Sequence, residues 1–146
     1  MKKTPVPAHN RAFDQHPRPG APPPHTHFRV VRPSGPPPDR AIRFYSAVLG
    51  APVSKQQTGS KPLGMLPTPS GGQMGCLVPD STAEPSEHGV MLWFNVTGRL
   101  RAAVAAVQPH GGDVRRDVHE IGGYGFRAEV VDSEGNLIAL YGDTDD

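Results

Sequence analysis

The sequence predicts an α+β fold built from two copies of one unit, a strand and a helix followed by further strands. The first observation is at the end of the chain, where two apolar runs, Phe126 to Val131 and Leu137 to Tyr141, flank the polar turn Asp132 to Asn136. Gly135 can supply the positive φ of a tight connection, so we predict a β-hairpin. The second observation is the order of elements, which repeats in the two halves of the chain.

The first half combines a strand-like run, a helix and two short apolar segments. Phe28 to Arg32 contains adjacent valines, which favour a strand. Asp39 to Leu49 places its apolar residues on one helical face, and Gly50 is suited to follow the last helical residue. The glycine-rich segments 62–67 and 71–78 are too short for helices and are predicted to be strands.

The second half repeats this order. Val90 to Val96 is predicted to be a strand, and Thr97 is predicted to cap the helix that follows. Leu100, Ala103, Val104 and Val107 form the apolar stripe of that helix, which should end near the glycine pair 111–112. We predict that His119 lies in a polar, loop-like stretch at the surface.

Composition limits the classes of function. A chain of 146 residues is about one domain long, and a net charge of +1 argues against a nucleic-acid partner. The single cysteine, Cys76, cannot form an internal disulfide, which favours the reducing cytoplasm. No apolar run approaches the roughly 20 residues of a membrane span, and no signal peptide is recognisable. We therefore expect a cytoplasmic protein without a membrane partner.

Proline divides the chain into an arm and a domain. Residues 1–24 contain little apolar surface and many prolines, so ordering them would not be offset by burial. We predict that residues 1–24 are a disordered arm and that residues 25–146 form a single domain.

Two motifs in this order resemble the vicinal oxygen chelate superfamily, which includes glyoxalase I, bleomycin-resistance proteins and extradiol dioxygenases. Asp39-Arg-Ala-Ile-Arg-Phe-Tyr-Ser-Ala-Val-Leu-Gly50 is similar to the first helix of that family, and the Asp132 to Asn136 hairpin is similar to its last one. The resemblance implies two βαβββ modules, at about residues 25–82 and 86–142, that form an open U-shaped barrel around a cavity.

The resemblance also implies where a metal would be held. In the metal enzymes of this superfamily the last strand carries a glutamate ligand, and the corresponding residue here is Ala139. Arg29 and Met91 occupy ligand positions on the first and fifth strands. None of these three side chains suits a divalent cation. His27 and Gln73 are the remaining candidate ligands, and we predict neither a metal nor another cofactor.

Strand alternation around Ala139 predicts what the cavity would contain instead. An apolar wall and several polar groups would face it, and the predicted ligand-binding residues are Arg29, Met91, Trp93, Asn95, Arg127, Glu129, Leu137 and Tyr141. That mixture is typical of a small-molecule site. An exposed Arg127–Glu129 ion pair and a dimer interface around Trp93 would give the same pattern.

Three classes of function follow. The first, which we favour, is a non-metal protein that binds a partly apolar small molecule in the cavity. The second is a lyase or dioxygenase of the same superfamily that has an unusual set of metal ligands or uses Glu129 as a general base. The third is a dimeric interaction module without a ligand. A homodimer is expected in any of these cases.

Overall fold

The computed structural model describes residues 29–30, 39–59, 61–67, 73–82 and 84–146. The predicted arm of residues 1–24 and the candidate ligand His27 lie outside these residues. The elements in chain order are β1 (Arg29–Val30), α1 (Asp39–Leu49), β2 (Ser54–Thr58), β3 (Lys61–Pro67), β4 (Gln73–Leu77), β5 (Leu92–Asn95), α2 (Leu100–Val107), β6 (Asp113–Glu120), β7 (Phe126–Val131) and β8 (Leu137–Gly142). One turn of 3₁₀ helix, Gln108–His110, follows α2.

The strands form two four-stranded sheets with the same topology. The first sheet has the order β1-β4-β3-β2 and the second has the order β5-β8-β7-β6. In each sheet the strand before the helix pairs in parallel with the last strand of its module, and the described pairs between successive strands are antiparallel. The predicted α+β class with two repeated βαβββ units is therefore confirmed.

The helices and the inner faces of the sheets share one hydrophobic core. On the second sheet, Phe94, Ala128, Val130, Ile138 and Leu140 are buried in it. Residues that alternate with them point the other way, as period-two strands require. Within the described part of the chain, neither helix has the length and apolar character needed to cross a bilayer.

The start of α2 differs from the prediction. The helix begins at Leu100, so Arg99 rather than Thr97 occupies the N-cap position, and no side chain caps the helix there. The Arg99 guanidinium instead donates to the carbonyl oxygens of Val48 and Ala47 at the end of α1. The prediction that Thr97 caps α2 was wrong, because contacts between Arg99 and the end of α1, in the other module, hold this junction.

A buried polar cluster joins α1 to the turn between β7 and β8. Asp132 is only 2% exposed, and one of its carboxylate oxygens accepts the backbone N–H groups of Glu134 and Asn136, both at 2.8 Å. The Tyr45 hydroxyl donates to the other oxygen at 2.7 Å. Arg40 donates to both carboxylate oxygens of Glu134 at 3.0 Å. The two modules are therefore connected by charge-assisted hydrogen bonds as well as by apolar packing.

Candidate functional site

Two rows of side chains cross the face of the second sheet that points away from the helices, which we call the open face. The pairing registers give their members in order from β6 to β5. The first row is Arg116, Glu129, Ala139 and Trp93, and the second row is His119, Arg127, Tyr141 and Asn95.

Trp93, Arg127 and Glu129 form a contact cluster on this face. The guanidinium carbon of Arg127 lies 5.1 Å from the centroid of the Trp93 ring, within cation–π range. Nη2 of Arg127 also contacts Oε1 of Glu129 at 2.7 Å. The Trp93 ring is held on one side by these contacts but remains 47% exposed. The cluster therefore presents a fixed cation beside an open aromatic surface.

Tyr141 extends this aromatic surface. Its ring centroid lies 6.2 Å from that of Trp93, at an interplanar angle of 43°. The hydroxyl donates to Oδ1 of Asp143 at 2.7 Å, and this hydrogen bond raises the pKa of Tyr141. Gly125 packs against the ring, since a Cβ there would lie 3.2 Å from the hydroxyl of Tyr141 and 2.6 Å from the carbonyl oxygen of Gly142. Gly125 therefore leaves the space that the tyrosine ring occupies.

Trp93 and Arg127 come together although β8 lies between their strands. The Cα of Arg127 pairs with that of Tyr141, and two strand spacings, about 9–10 Å, separate β7 from β5. The two side chains together span this distance, since the guanidinium carbon lies 5.1 Å from the Trp93 centroid. Ala139, whose register neighbours are Glu129 and Trp93, has no exposed surface although it lies on the open face.

The other predicted ligand-binding residues lie further from this cluster. Asn95 shares the open face, but its side-chain oxygen accepts the backbone N–H of Thr97 at 2.9 Å and so is used to end β5. Met91 and Leu137 line a cleft of about 40 Å³ beside the loop at His88. Arg29 is in the first sheet, and its side chain, like that of Gln73, lies outside the described part of the structure.

A larger cleft of about 150 Å³ lies on the helix side of the same sheet edge. Tyr45, Leu92 and Ile138 form its inner wall, and His88 lies at its rim. It is separated from the Trp93 cluster by β5 itself, because Leu92 and Trp93 point to opposite faces. A volume of this size is about that of a cavity that binds benzene.

Cys76 is not part of this site. It is buried in the first sheet, and this burial raises the pKa of its thiol. A raised pKa disfavours the reactive thiolate at neutral pH.

Sequence reasoning missed two residues of the open face, Arg116 and His119. The prediction of a loop at His119 was wrong, because this residue lies in β6, an edge strand in which charged residues are common. Two register shifts in the pairing of β6 with β7, each of one residue, bring Arg116 opposite Glu129 and His119 opposite Arg127. Simple alternation from Val114 would turn Arg116 inward, so no pattern in the sequence identifies it.

His119 and Arg127 each have a buried nitrogen without a hydrogen-bond partner. Nδ1 of His119 lies 2.9 Å from the carbonyl oxygen of Asp117. Because a carbonyl only accepts, Nδ1 carries the hydrogen, and Nε2 of the neutral ring is an acceptor. This Nε2 and the Nε of Arg127 are both buried without a partner in the described structure. The second row therefore has two nitrogen atoms that make no hydrogen bond within the described structure.

The described residues of the open face do not fit a divalent metal. No group of three or more His, Cys, Asp or Glu side chains comes together within the described ranges. Ala139 offers only a methyl group. The Arg127 guanidinium lies on the same face and would repel a metal ion placed beside it.

Comparison with known proteins agrees with this architecture. A family model described as the glyoxalase/bleomycin resistance protein/dioxygenase superfamily matches residues 35–140. A comparison with curated proteins found no match.

Solved structures of the same family share the fold at low sequence identity. A glyoxalase/bleomycin resistance protein from Albidiferax ferrireducens aligns with a TM-score of 0.57 and 20% identity over 78% of this chain and 95% of that chain. The genomically encoded fosfomycin resistance protein FosX from Listeria monocytogenes aligns with a TM-score of 0.57 and 12% identity over 80% of this chain and 90% of that chain. A glyoxylase/bleomycin resistance protein/dioxygenase domain from Frankia aligns with a TM-score of 0.58 and 14% identity over 80% and 94%.

At such identities the structural likenesses show the fold alone. The family model is stronger evidence for the family, because it matches residues 35–140, which are well over half of the 146 residues. The chain belongs to the glyoxalase/bleomycin resistance protein/dioxygenase superfamily.

Proposed function

We propose that this protein binds a small, planar, partly apolar molecule on the open face of the second sheet and does so without a divalent metal. The observation that carries the proposal is the Trp93 ring, which is fixed by Arg127 yet 47% exposed. Rigid aromatic surface beside a few polar groups is the usual composition of a small-molecule site. Tyr141 enlarges the aromatic surface.

The alternative of an enzyme is less well supported. Glu129, the candidate general base, is engaged by Arg127 at 2.7 Å. A base that must accept a proton from a substrate has to be free to reach it. We therefore place binding before catalysis, and we propose the cytoplasm as the compartment because a chain with a single cysteine has no internal disulfide.

A dimeric interaction module is the second candidate, because Trp93 on the edge strand β5 and Val90 just before it expose 47% and 89% of their surfaces. Exposed apolar residues grouped in this way also mark protein interfaces. We also propose a homodimer whose interface leaves the open face accessible to a ligand. Sedimentation of the wild type and of Trp93→Ala distinguishes the two candidates, because a module whose only role is dimerisation through Trp93 would become monomeric in the variant.

The binding proposal is tested through the single tryptophan of the chain, whose indole N–H gives one assignable NMR signal. We expect planar aromatic compounds from a fragment set to shift this signal. Measured by isothermal titration calorimetry, which does not depend on the tryptophan signal, Trp93→Ala should bind these compounds about tenfold or more weakly, since base–aromatic and aromatic–aromatic contacts are worth about 1–3 kcal/mol. Tyr124→Ala is the matched control, because Tyr124 is 81% exposed in the loop before β7. Equal affinity of Trp93→Ala and wild type would refute the proposal.

A second expected result concerns metal content. The protein purified without chelator should carry no stoichiometric Zn²⁺, Ni²⁺, Mn²⁺ or Fe²⁺ by elemental analysis, because Met91 and Ala139 provide no suitable donor. Adding a chelator should leave the melting temperature unchanged. One equivalent of tightly held metal, with a loss of stability on chelation, would contradict the non-metal proposal and favour the enzyme alternative.

A further inference from the structure

The open face carries its own cation, which contacts both register neighbours of Ala139, the position where the family resemblance places a metal ligand. The guanidinium of Arg127 ends 5.1 Å from the Trp93 centroid. It is held there by two contacts of different kinds, the Trp93 ring and the Glu129 carboxylate. A long side chain that is tethered at its charged end loses little further freedom when a ligand binds.

The charge of this cation is not cancelled by its surroundings. Glu129 neutralises one positive charge, but Arg116 lies opposite Glu129 in the register and adds another. Among the described residues, no carboxylate is within salt-bridge distance of Arg116, whereas its neighbour Arg115 is paired with Glu87 and Asp113. Arg116, Glu129 and Arg127 together therefore carry a net charge of +1, from one carboxylate and two guanidinium groups.

Arg127 also has donor capacity left over. A guanidinium has five N–H donors in a planar fork, and the ion pair with Glu129 uses Nη2. Nε–H is buried without a partner. A planar, always charged donor of this kind matches the two oxygens of a carboxylate.

Resting on the proposed function, we infer that Arg127 is the resident cation of the site and that the ligand is a planar aromatic carboxylate. Its ring would lie against the exposed surface of Trp93, and its carboxylate would be bound by the Arg127 guanidinium. Arg127 would then supply the positive charge that a metal supplies to substrate oxygens in metal-dependent members. Glu129 would position the guanidinium without touching the ligand.

The test uses three probes with one carbon skeleton: cinnamate, cinnamyl alcohol and cinnamylamine. Their affinities are measured by following the Trp93 indole signal during NMR titration of the full chain. Cinnamate should bind about tenfold or more tightly than the alcohol, because a hydrogen bond to a charged group is stronger than one between neutral groups. The amine should bind most weakly, because it meets a like charge.

Variants assign the preference to one residue. Arg127→Gln should abolish the preference, so that cinnamate and the alcohol bind the variant with affinities equal within about twofold. Arg127→Lys keeps the positive charge but loses the planar donor arrangement of the guanidinium, so it should retain part of the preference for cinnamate. Arg115→Gln is the matched control and should behave as the wild type. The double variant Arg127→Gln/Glu129→Gln avoids an unpaired carboxylate and should reproduce the result if the single variant folds poorly.

The possible outcomes distinguish this inference from the proposed function on which it rests. Binding of all three probes with equal affinity would leave aromatic binding standing and overturn the role of Arg127. A carboxylate preference that survives in Arg127→Gln would also overturn it and would assign the anion to Arg116. Failure of all three probes to shift the Trp93 signal would overturn both the proposed function and the inference.

Discussion

Replacing Phe44 with alanine is expected to lower the free energy of unfolding by about 3–5 kcal/mol. Phe44 in α1 has no exposed surface and makes an edge-to-face contact with Tyr45, with ring centroids 5.1 Å apart. The ring also lies against the backbone of Gly112, where a Cβ would come within 2.6 Å of Cε2. Because glycine has no side chain that could move into the space, the cavity left by the ring would not collapse easily.

Urea unfolding at equilibrium measures this loss. Tyr124→Ala is a suitable control, because it removes an aromatic ring that is 81% exposed and should change stability by less than about 0.5 kcal/mol. A cost below about 1 kcal/mol for Phe44→Ala would mean that α1 does not present this face to the core.

Asp132→Ala is expected to have a comparable effect, about 3–5 kcal/mol. The substitution removes the acceptor of two backbone N–H groups and of the Tyr45 hydroxyl, all of which lie in a buried or partly buried region. Each donor left without a partner away from water costs about 1–3 kcal/mol. Asp113→Ala is the matched control, because Asp113 is an exposed carboxylate paired only with Arg115. A loss below about 1 kcal/mol for Asp132→Ala would contradict a structural role for this cluster.

The same cluster gives a pH dependence with a defined sign. Burial and the neighbouring Asp132 carboxylate raise the pKa of Tyr45 well above its ordinary value. The folded protein therefore keeps this proton to a higher pH than the unfolded chain does. The stability that comes from Tyr45 is complete below about pH 10 and decreases as the pH rises above it. The difference in unfolding free energy between wild type and Tyr45→Phe should be constant from about pH 8 to pH 10 and shrink at higher pH.

Both helices and six of the eight described strands could be predicted because their signals are local, whereas the polar strands β2 and β6 were missed. The helix from Asp39 is recognisable from its apolar face, and the last hairpin from Gly135, which has φ of 102°. Alternation likewise separates exposed Trp93 from partly buried Leu92 and buried Phe94. These features depend on residues a few positions apart, so the order of the residues is sufficient to specify them.

The arrangement of the site depends on contacts between distant residues, and only the tertiary structure decided it. Tyr45 and Asp132 are 87 positions apart, and nothing near either residue identifies the other as its partner. The contact between Arg127 and Trp93 joins β7 to β5 although β8 lies between them. The two irregularities in β6 decide that Arg116 and His119 share the open face. A strand pattern specifies which side chains alternate, but bulges and neighbouring strands determine which of them meet, and those depend on the folded chain as a whole.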